Sequence, residues 1–252
     1  MAKAPQKTRR KIFCIGSNKT GTTTLHGTFK ALGLRSRHDT VWARASAFRG
    51  GRKLFRKAQC FSDGDRAEFR NLDKWFSNAL FILNTRDERA WLRSRVKHVM
   101  RHHAAFELNP ARQRKDGLAS GPRASEFAAG PEMAIAAWIA QRRLHERMAR
   151  DHFAGNERFL ELSVTDDPTW TLKLSAFLAK HGVIEAGREL PSIHANKRSV
   201  PSEDEPPMLT HYYAAVDRVL ETVNRLTDQP HASISASVAE AAHSGGAEVT
   251  AR

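Results

Sequence analysis

Residues 11–34 read KIFCIGSNKTGTTTLHGTFKALGL, and the reading of this stretch decides the fold. It opens with a short apolar run, Ile12 to Ile15, which suits a buried strand. A turn carrying Gly16 and Gly21 follows. Leu25, Phe29 and Leu32 then recur at i, i+4 and i+7 until Gly33 stops the pattern, as in an amphipathic helix. Strand, glycine loop and helix in that order make a cradle for a phosphate or sulfate. The glycines let backbone N–H groups turn toward an anion, and the helix N-terminus adds partial positive charge. Lys19 supplies a full charge, and Thr20, Thr22, Thr23 and Thr24 supply hydroxyl donors.

Spacing separates two kinds of cradle. A nucleotide-triphosphate loop of the form GxxxxGK[ST] needs lysine directly after the second glycine and a hydroxyl beside it for magnesium. Gly16 and Gly21 have the right separation, but Thr22 stands where that lysine belongs and Lys19 precedes Gly21 by two residues. The run Asn18-Lys19-Thr20-Gly21-Thr22-Thr23-Thr24-Leu25 instead resembles the 5′-phosphosulfate loop of the sulfotransferases, PK(S/T)GT(T/S)xL, with Asn18 as the departure. The resemblance implies 3′-phosphoadenosine 5′-phosphosulfate (PAPS) as donor and its bisphosphate PAP as product.

Further along, Ala79 to Thr85 (ALFILNT) is the clearest strand, a continuous apolar run suited to the centre of a parallel sheet. Its carboxyl end delivers Arg86, and a helix follows from about Asp87 to Ala105. Arginine can hold a phosphate bidentately, and Ser94 adds a hydroxyl two turns into that helix. The segment RDERAWLRS resembles the RDPxxWxxS form of bacterial sulfotransferases, with Glu88 in place of the proline. The resemblance gives Arg86 and Ser94 the donor's 3′-phosphate. Residues 159–167 and Leu178 look like a late strand and helix of that family, and His194-Ala195-Asn196-Lys197-Arg198 resembles its HxNxR-like segment, which would bring Lys197 and Arg198 to the same phosphate. The likeness covers 11–199.

The remaining elements fill in an α/β pattern. Residues 34–40 read as a second strand and 41–57 as a strongly basic helix weakened by Gly50-Gly51. A brief strand at 58–62 ends in the turn Asp63-Gly64-Asp65, with Asp65 placed to cap a helix bearing Phe69, Leu72 and Phe76. Residues 109–130 form a Pro, Gly, Arg and Ser-rich connection, long for a compact domain. Pro131 opens a long helix with Met133, Ala137, Ala140, Leu144 and Met148 as its expected core stripe. A strand at 158–163, a helix with Trp170, Leu174 and Phe177, and a last amphipathic helix over 208–226 complete the set. Alternating strands and helices predict a three-layer α/β sandwich, its central sheet parallel and its topology P-loop NTPase-like, with ligands at the strands' carboxyl ends. The domain is expected over 11–229, between a basic leader (1–10) and a disordered tail (230–252) poor in residues to bury.

Composition bounds the function. A net charge of +14 implies anionic partners, here a nucleotide donor or an acidic glycan rather than nucleic acid, since no basic block alternates with aromatics and no zinc spacing appears. Two cysteines, Cys14 and Cys60, cannot make a disulfide framework, so a reducing cytoplasm is the expected compartment. The apolar run after the basic leader is too short for a signal peptide, and no stretch approaches a membrane span.

The expected reaction is sulfuryl transfer from PAPS to a hydroxyl of a small molecule or glycan, with Lys19 carrying the electrostatics and no metal required. Base candidates are Asp63, in a segment resembling the FSD of bacterial members, and His38; His98, His102 and His103 rank below them. A P-loop kinase with a degenerate loop and a basic nucleic-acid-binding protein are the competing readings. Oligomeric state and acceptor are not encoded in any readable motif.

Overall fold

The computed structural model describes residues 10–101, 130–191, 193 and 207–228. Five strands form one sheet, β1 (Ile12–Cys14), β2 (Ser36–His38), β3 (Cys60–Ser62), β4 (Leu80–Thr85) and β5 (Phe159–Ser163). Their order is β2-β3-β1-β4-β5 and every pair is parallel. β1 therefore lies at the centre, with Phe13 in register with Phe61 on one side and Phe81 on the other. Seven α-helices are described: α1 (Thr22–Ala31), α2 (Val41–Ser46), α3 (Phe69–Trp75), α4 (Glu88–Arg101), α5 (Pro131–His152), α6 (Trp170–Lys180) and α7 (Pro207–Asp228). This is the three-layer α/β architecture expected from the sequence.

The period-two alternation of the strands assigns the two faces. Ile12, Cys14, Leu80 and Ile82 point to the side covered by α1 and α6, where they meet Leu25, Phe29, Leu174 and Leu178. Phe13, Ile15, Phe61, Phe81 and Leu83 point to the other side, against Trp42, Phe55, Phe69 and the carboxyl end of α5. Phe13 is the centre of that face, 5.2 Å from the Phe61 ring and 5.7 Å from Phe81. Cutting such a ring back to Ala costs about 3–5 kcal/mol. A third cluster joins α4, the first half of α5 and α7 through Leu92, Val96, Ile135, Ile139, Val216 and Leu220.

Strand order also fixes where a ligand can sit. β1 leads away to β2 on one side and β4 leads to β5 on the other. The crevice between the carboxyl ends of β1 and β4 is thus the switch point at which open parallel sheets bind ligands.

Three local expectations need correction. The basic segment 41–57 is not one helix but α2 followed by a 3₁₀ turn, Arg49–Arg56. The break falls where Gly51 approaches α2 so closely that a Cβ would lie 1.9 Å from the Ala45 carbonyl oxygen. Asp65 does not cap α3, which starts at Phe69; the Glu68 N–H finds Ser46 Oγ instead, at 2.7 Å. The inward stripe of α5 is Ala134, Ile135, Trp138, Ile139, Arg142, Glu146 and Ala149, while Met133 and Leu144 are about half exposed. Hydropathy alone selected the wrong face because a buried ion pair, Arg142 to Glu146 at 2.7 Å, belongs to the inner one. Residues 1–9, 102–129 and 229–252, with Lys197 and Arg198, lie outside the described residues.

Candidate active site

The loop after β1 is built from its own backbone and held by β4, α4 and α5. Lys19 and Gly21 both adopt left-handed conformations, at φ 65° and 89°. Gly21 must be glycine twice over, since a Cβ there would also lie 2.8 Å from that of Val164, which follows β5. Gly21 is the N-cap of α1 and brings no side-chain cap, which leaves the first N–H groups of the helix, from Thr22 onward, open to an anion. The Thr20 side chain is fully buried and turned into the loop, donating to the Ser17 carbonyl at 2.5 Å.

Asn84, a buried polar residue inside the apolar β4, ties the loop to the sheet. Its Oδ1 accepts the Gly16 N–H at 3.1 Å and its amide donates to Thr20 Oγ1. Trp91 Nε1 donates to the Asn18 carbonyl at 2.9 Å, and Arg95 Nη1 to Asn18 Oδ1 at 3.1 Å. His145 Nε2 donates to the Ile15 carbonyl at 2.8 Å. None of Asn84, Trp91, Arg95 or His145 was named from sequence as a part of the site. Asn84 carried one signal, a lone amide in an otherwise apolar strand, and Trp91 another, as the tryptophan of the RDERAWLRS segment.

Arg86 leaves the carboxyl end of β4 and reaches over the loop, Nη1 donating to the Lys19 carbonyl at 3.1 Å. Its Nε is buried with no partner among the described residues, a donor in want of an acceptor. Burial presses the guanidinium below its ordinary pKa, against the pull of Asp166 and Asp87. Asp87 opens α4, its Oδ1 accepting the Ala90 N–H at 2.8 Å. Ser94 lies two turns along, half-buried, one turn beyond Trp91 on the same helix face.

Across the loop are the two base candidates. Asp63 follows β3 in a left-handed conformation, φ 68°. Burial pushes its carboxyl above the usual carboxylate range; His38 and Lys19 pull it down, while Asp65 and Asp39 push it up. Gly64, the next residue, lies so close to the end of β1 that a Cβ there would meet the Cys14 carbonyl oxygen, which sets this turn beside the cradle. His38 ends β2, with Nδ1 2.9 Å from Ser62 Oγ and Nε2 3.4 Å from Thr23 Oγ1. Ser62 Oγ donates to the Arg37 carbonyl at 3.4 Å, so it accepts from His38 Nδ1–H and leaves Nε2 as the basic nitrogen. His26 stacks on His38 at 5.3 Å. His98 sits on α4, while His102 and His103 lie outside the described residues.

Beside this centre an open cleft is lined by Ser17 of the loop, Asp65 and Arg66, Trp91 and Arg95 of α4, and Trp138, Gln141, Arg142 and His145 of α5. The arginines stack on the indoles, Arg142 over Trp91 at 4.6 Å and Arg95 over Trp138 at 4.5 Å. Arg142 also holds the Arg86 carbonyl at 2.6 Å, which couples α5 to the β4 terminus.

A family model described as a sulfotransferase domain matches residues 11–199, three quarters of the chain. The chain belongs to the sulfotransferase family. No curated protein matches it significantly. Among the described residues no cluster of His, Cys, Asp or Glu has the make-up of a metal site, and no helix is long and apolar enough to cross a membrane.

Proposed function

We propose that this sulfotransferase uses PAPS and delivers the sulfuryl group to a hydroxyl, on a carbohydrate or another small metabolite. The observation that carries the reading is the meeting of Arg86 with the uncapped Lys19–Gly21 loop at the switch point of the sheet. A donor with two phosphate groups needs two anion sites a short way apart. The α1 N-terminus with Lys19 is one, and Arg86, whose buried Nε lacks an acceptor, with Ser94 is the other. The residues present fit such a group. Asn18, Thr20 and Thr24 shape the loop, while Thr22 and Thr23 bring hydroxyls to its mouth; Lys197 and Arg198 are assigned to the 3′-phosphate by family resemblance alone.

When bound, PAPS supplies a sulfuryl group activated by its own mixed anhydride. Sulfuryl transfer resembles phosphoryl transfer, so the protein's share is positioning and charge stabilisation. Lys19 places an ammonium where negative charge grows as the leaving oxygen separates. The N–H groups of α1 hold that charge without reorganisation. Asp63 takes the acceptor's proton, its raised carboxyl bringing it nearer to the proton it must accept. His38, fixed by Ser62, orients Thr23 and stands as the second base candidate. Since Lys19, Arg86 and the helix end supply the positive charge, this reading asks for no metal. The two buried, unpaired cysteines support a cytoplasmic location, and the domain is taken as 11–229.

The test is calorimetric binding of PAP, against ATP with magnesium, to the wild type and to Lys19→Ala and Arg86→Ala. Tight PAP binding that Arg86→Ala weakens, with little ATP binding, supports the reading. Preference for ATP, or no binding of either, overturns it.

A further inference from the structure

We infer that the flank running from the active-site rim through α2 and the 3₁₀ turn is a docking surface for a polyanionic glycan, carboxylated or sulfated, whose hydroxyl is the acceptor. This rests on the sulfotransferase reading and names the class of its acceptor. Between Val41 and Lys57 stand Arg44, Arg49, Arg52, Lys53, Arg56 and Lys57, with no carboxylate in the stretch. All six are exposed, and among the described residues none forms an ion pair. The surface of α4, α5 and α7 is built differently. There cations meet acids, Arg143 with Glu88 at 2.5 Å, Arg93 with Asp217 at 2.9 Å, and Arg218 with Glu132 at 2.7 Å. The nearest acid at the head of the stretch, Asp39, receives the Val41 N–H and pairs with Arg37, so the six cations keep an excess positive field, which recruits a polyanion.

The flank is continuous with the acceptor side of the site. Trp42 Nε1 donates to the Ser62 carbonyl at 2.7 Å, one residue before Asp63. A Cβ on Gly64 would lie 2.6 Å from the Trp42 ring. From there the segment descends to the amino-terminal end of the strands, where Lys11 Nζ, just before β1, holds the Phe55 carbonyl at 2.6 Å. A chain presenting one hydroxyl at Asp63 can lie down this side.

Two other polyanions fit less well. A membrane-surface element turns an apolar face to lipid, but here Trp42 and Phe55 are fully buried in the core, and Val41 and Phe48 are the large apolar side chains left exposed. A single-strand nucleic-acid groove stacks successive bases on successive aromatics, and Phe48 is the one exposed aromatic in the segment.

The experiment uses the full chain and two sets of reversals with equal net charge. Arg49→Glu/Lys53→Glu/Lys57→Glu changes the flank; Arg147→Glu/Arg188→Glu/Arg225→Glu, at exposed positions elsewhere, is the control. Probes are polygalacturonate, dextran sulfate, duplex DNA and phosphatidylglycerol vesicles. The flank set is expected to weaken polysaccharide binding about tenfold or more and flatten its salt slope, with the control changing it about twofold or less. Whichever polysaccharide binds tighter assigns carboxylate or sulfate as the recognised group, and KM for sulfation of that polymer rises in step while PAP binding is unchanged. Equal losses in both sets, or tighter binding to DNA or vesicles, overturn the proposal. If a neutral monosaccharide is sulfated while the flank set keeps its polymer affinity, the surface fails alone. If flank-dependent binding stands but PAP does not bind, the donor reading fails and the surface stands.

Discussion

The two halves of the site are made in opposite ways. The proposed donor half is a run of consecutive residues, 16–24, pinned from a distance by Asn84, Arg86, Trp91, Arg95 and, through Ile15, His145. The proposed acceptor half draws side chains from three segments, Asp63 and Arg66 after β3, Trp91 of α4, and Trp138, Gln141 and His145 of α5. A cradle of backbone N–H groups depends first on local conformation, here the left-handed Lys19 and Gly21. A cleft of side chains on packed helices depends on every helix that positions them. The comparison predicts that lesions within 16–24 act on donor binding and chemistry, that Asp63, Arg66, Trp138 and Gln141 act on acceptor use, and that Trp91 and His145, which serve both halves, disturb the two together.

The largest effect is expected from Lys19→Ala. Loss of the one full charge beside the leaving group should lower kcat about 10³-fold or more in steady-state transfer assays. Thermal stability should hardly move, because Lys19 lies outside the core. A comparable loss of stability would mean that the loop depends on the lysine and is not self-supporting.

Asp63→Asn comes next, with kcat lower by about 10²- to 10³-fold and PAP affinity unchanged. Its stability should move the other way. Burial raises the Asp63 carboxyl, so the folded chain holds that proton more tightly than the unfolded chain. That stabilisation is present below the ordinary carboxylate pKa and is lost as pH rises through the raised one. The variant should therefore melt above the wild type at neutral pH and with it in acid, in paired thermal scans. Asparagine keeps the left-handed conformation accessible. If kcat is unchanged and His38→Gln abolishes turnover instead, the base is His38.

Arg86→Ala should weaken PAP by about 100-fold in calorimetry, the scale of a charge-assisted contact of 2–3 kcal/mol. The smallest effects test the acceptor half's scaffold. Ile139→Ala should cost about 2–5 kcal/mol in denaturant unfolding, and Leu144→Gln about 0.5 kcal/mol or less. Similar costs would put the inward face of α5 back where hydropathy alone had it.

What could be read from the sequence follows the same division. Gly16, Lys19 and Gly21 announce their chemistry through spacing, since a left-handed loop between a strand and a helix is decided within a few residues. Arg86 was legible because a parallel strand must deliver its next residue to the ligand edge. The stripe of α5 was not, because Arg142 points inward to reach Glu146 and the Arg86 carbonyl, partners 4 and 56 positions away. Nor was the role of Trp91 and Arg95 as anchors of Asn18, more than 70 residues distant.

The sequence by itself determined the sheet, the glycine loop between β1 and α1, and the family, because hydrophobic period, glycine placement and motif spacing are local properties that the folded chain only has to respect. Tertiary structure alone decided which face of α5 lines the cleft, which carboxylate is buried beside Lys19, and where a basic segment without acids lies relative to both. Those depend on contacts between residues far apart in the chain, and the burial that shifts a pKa or leaves a charge uncompensated exists only once the helices have closed on the sheet.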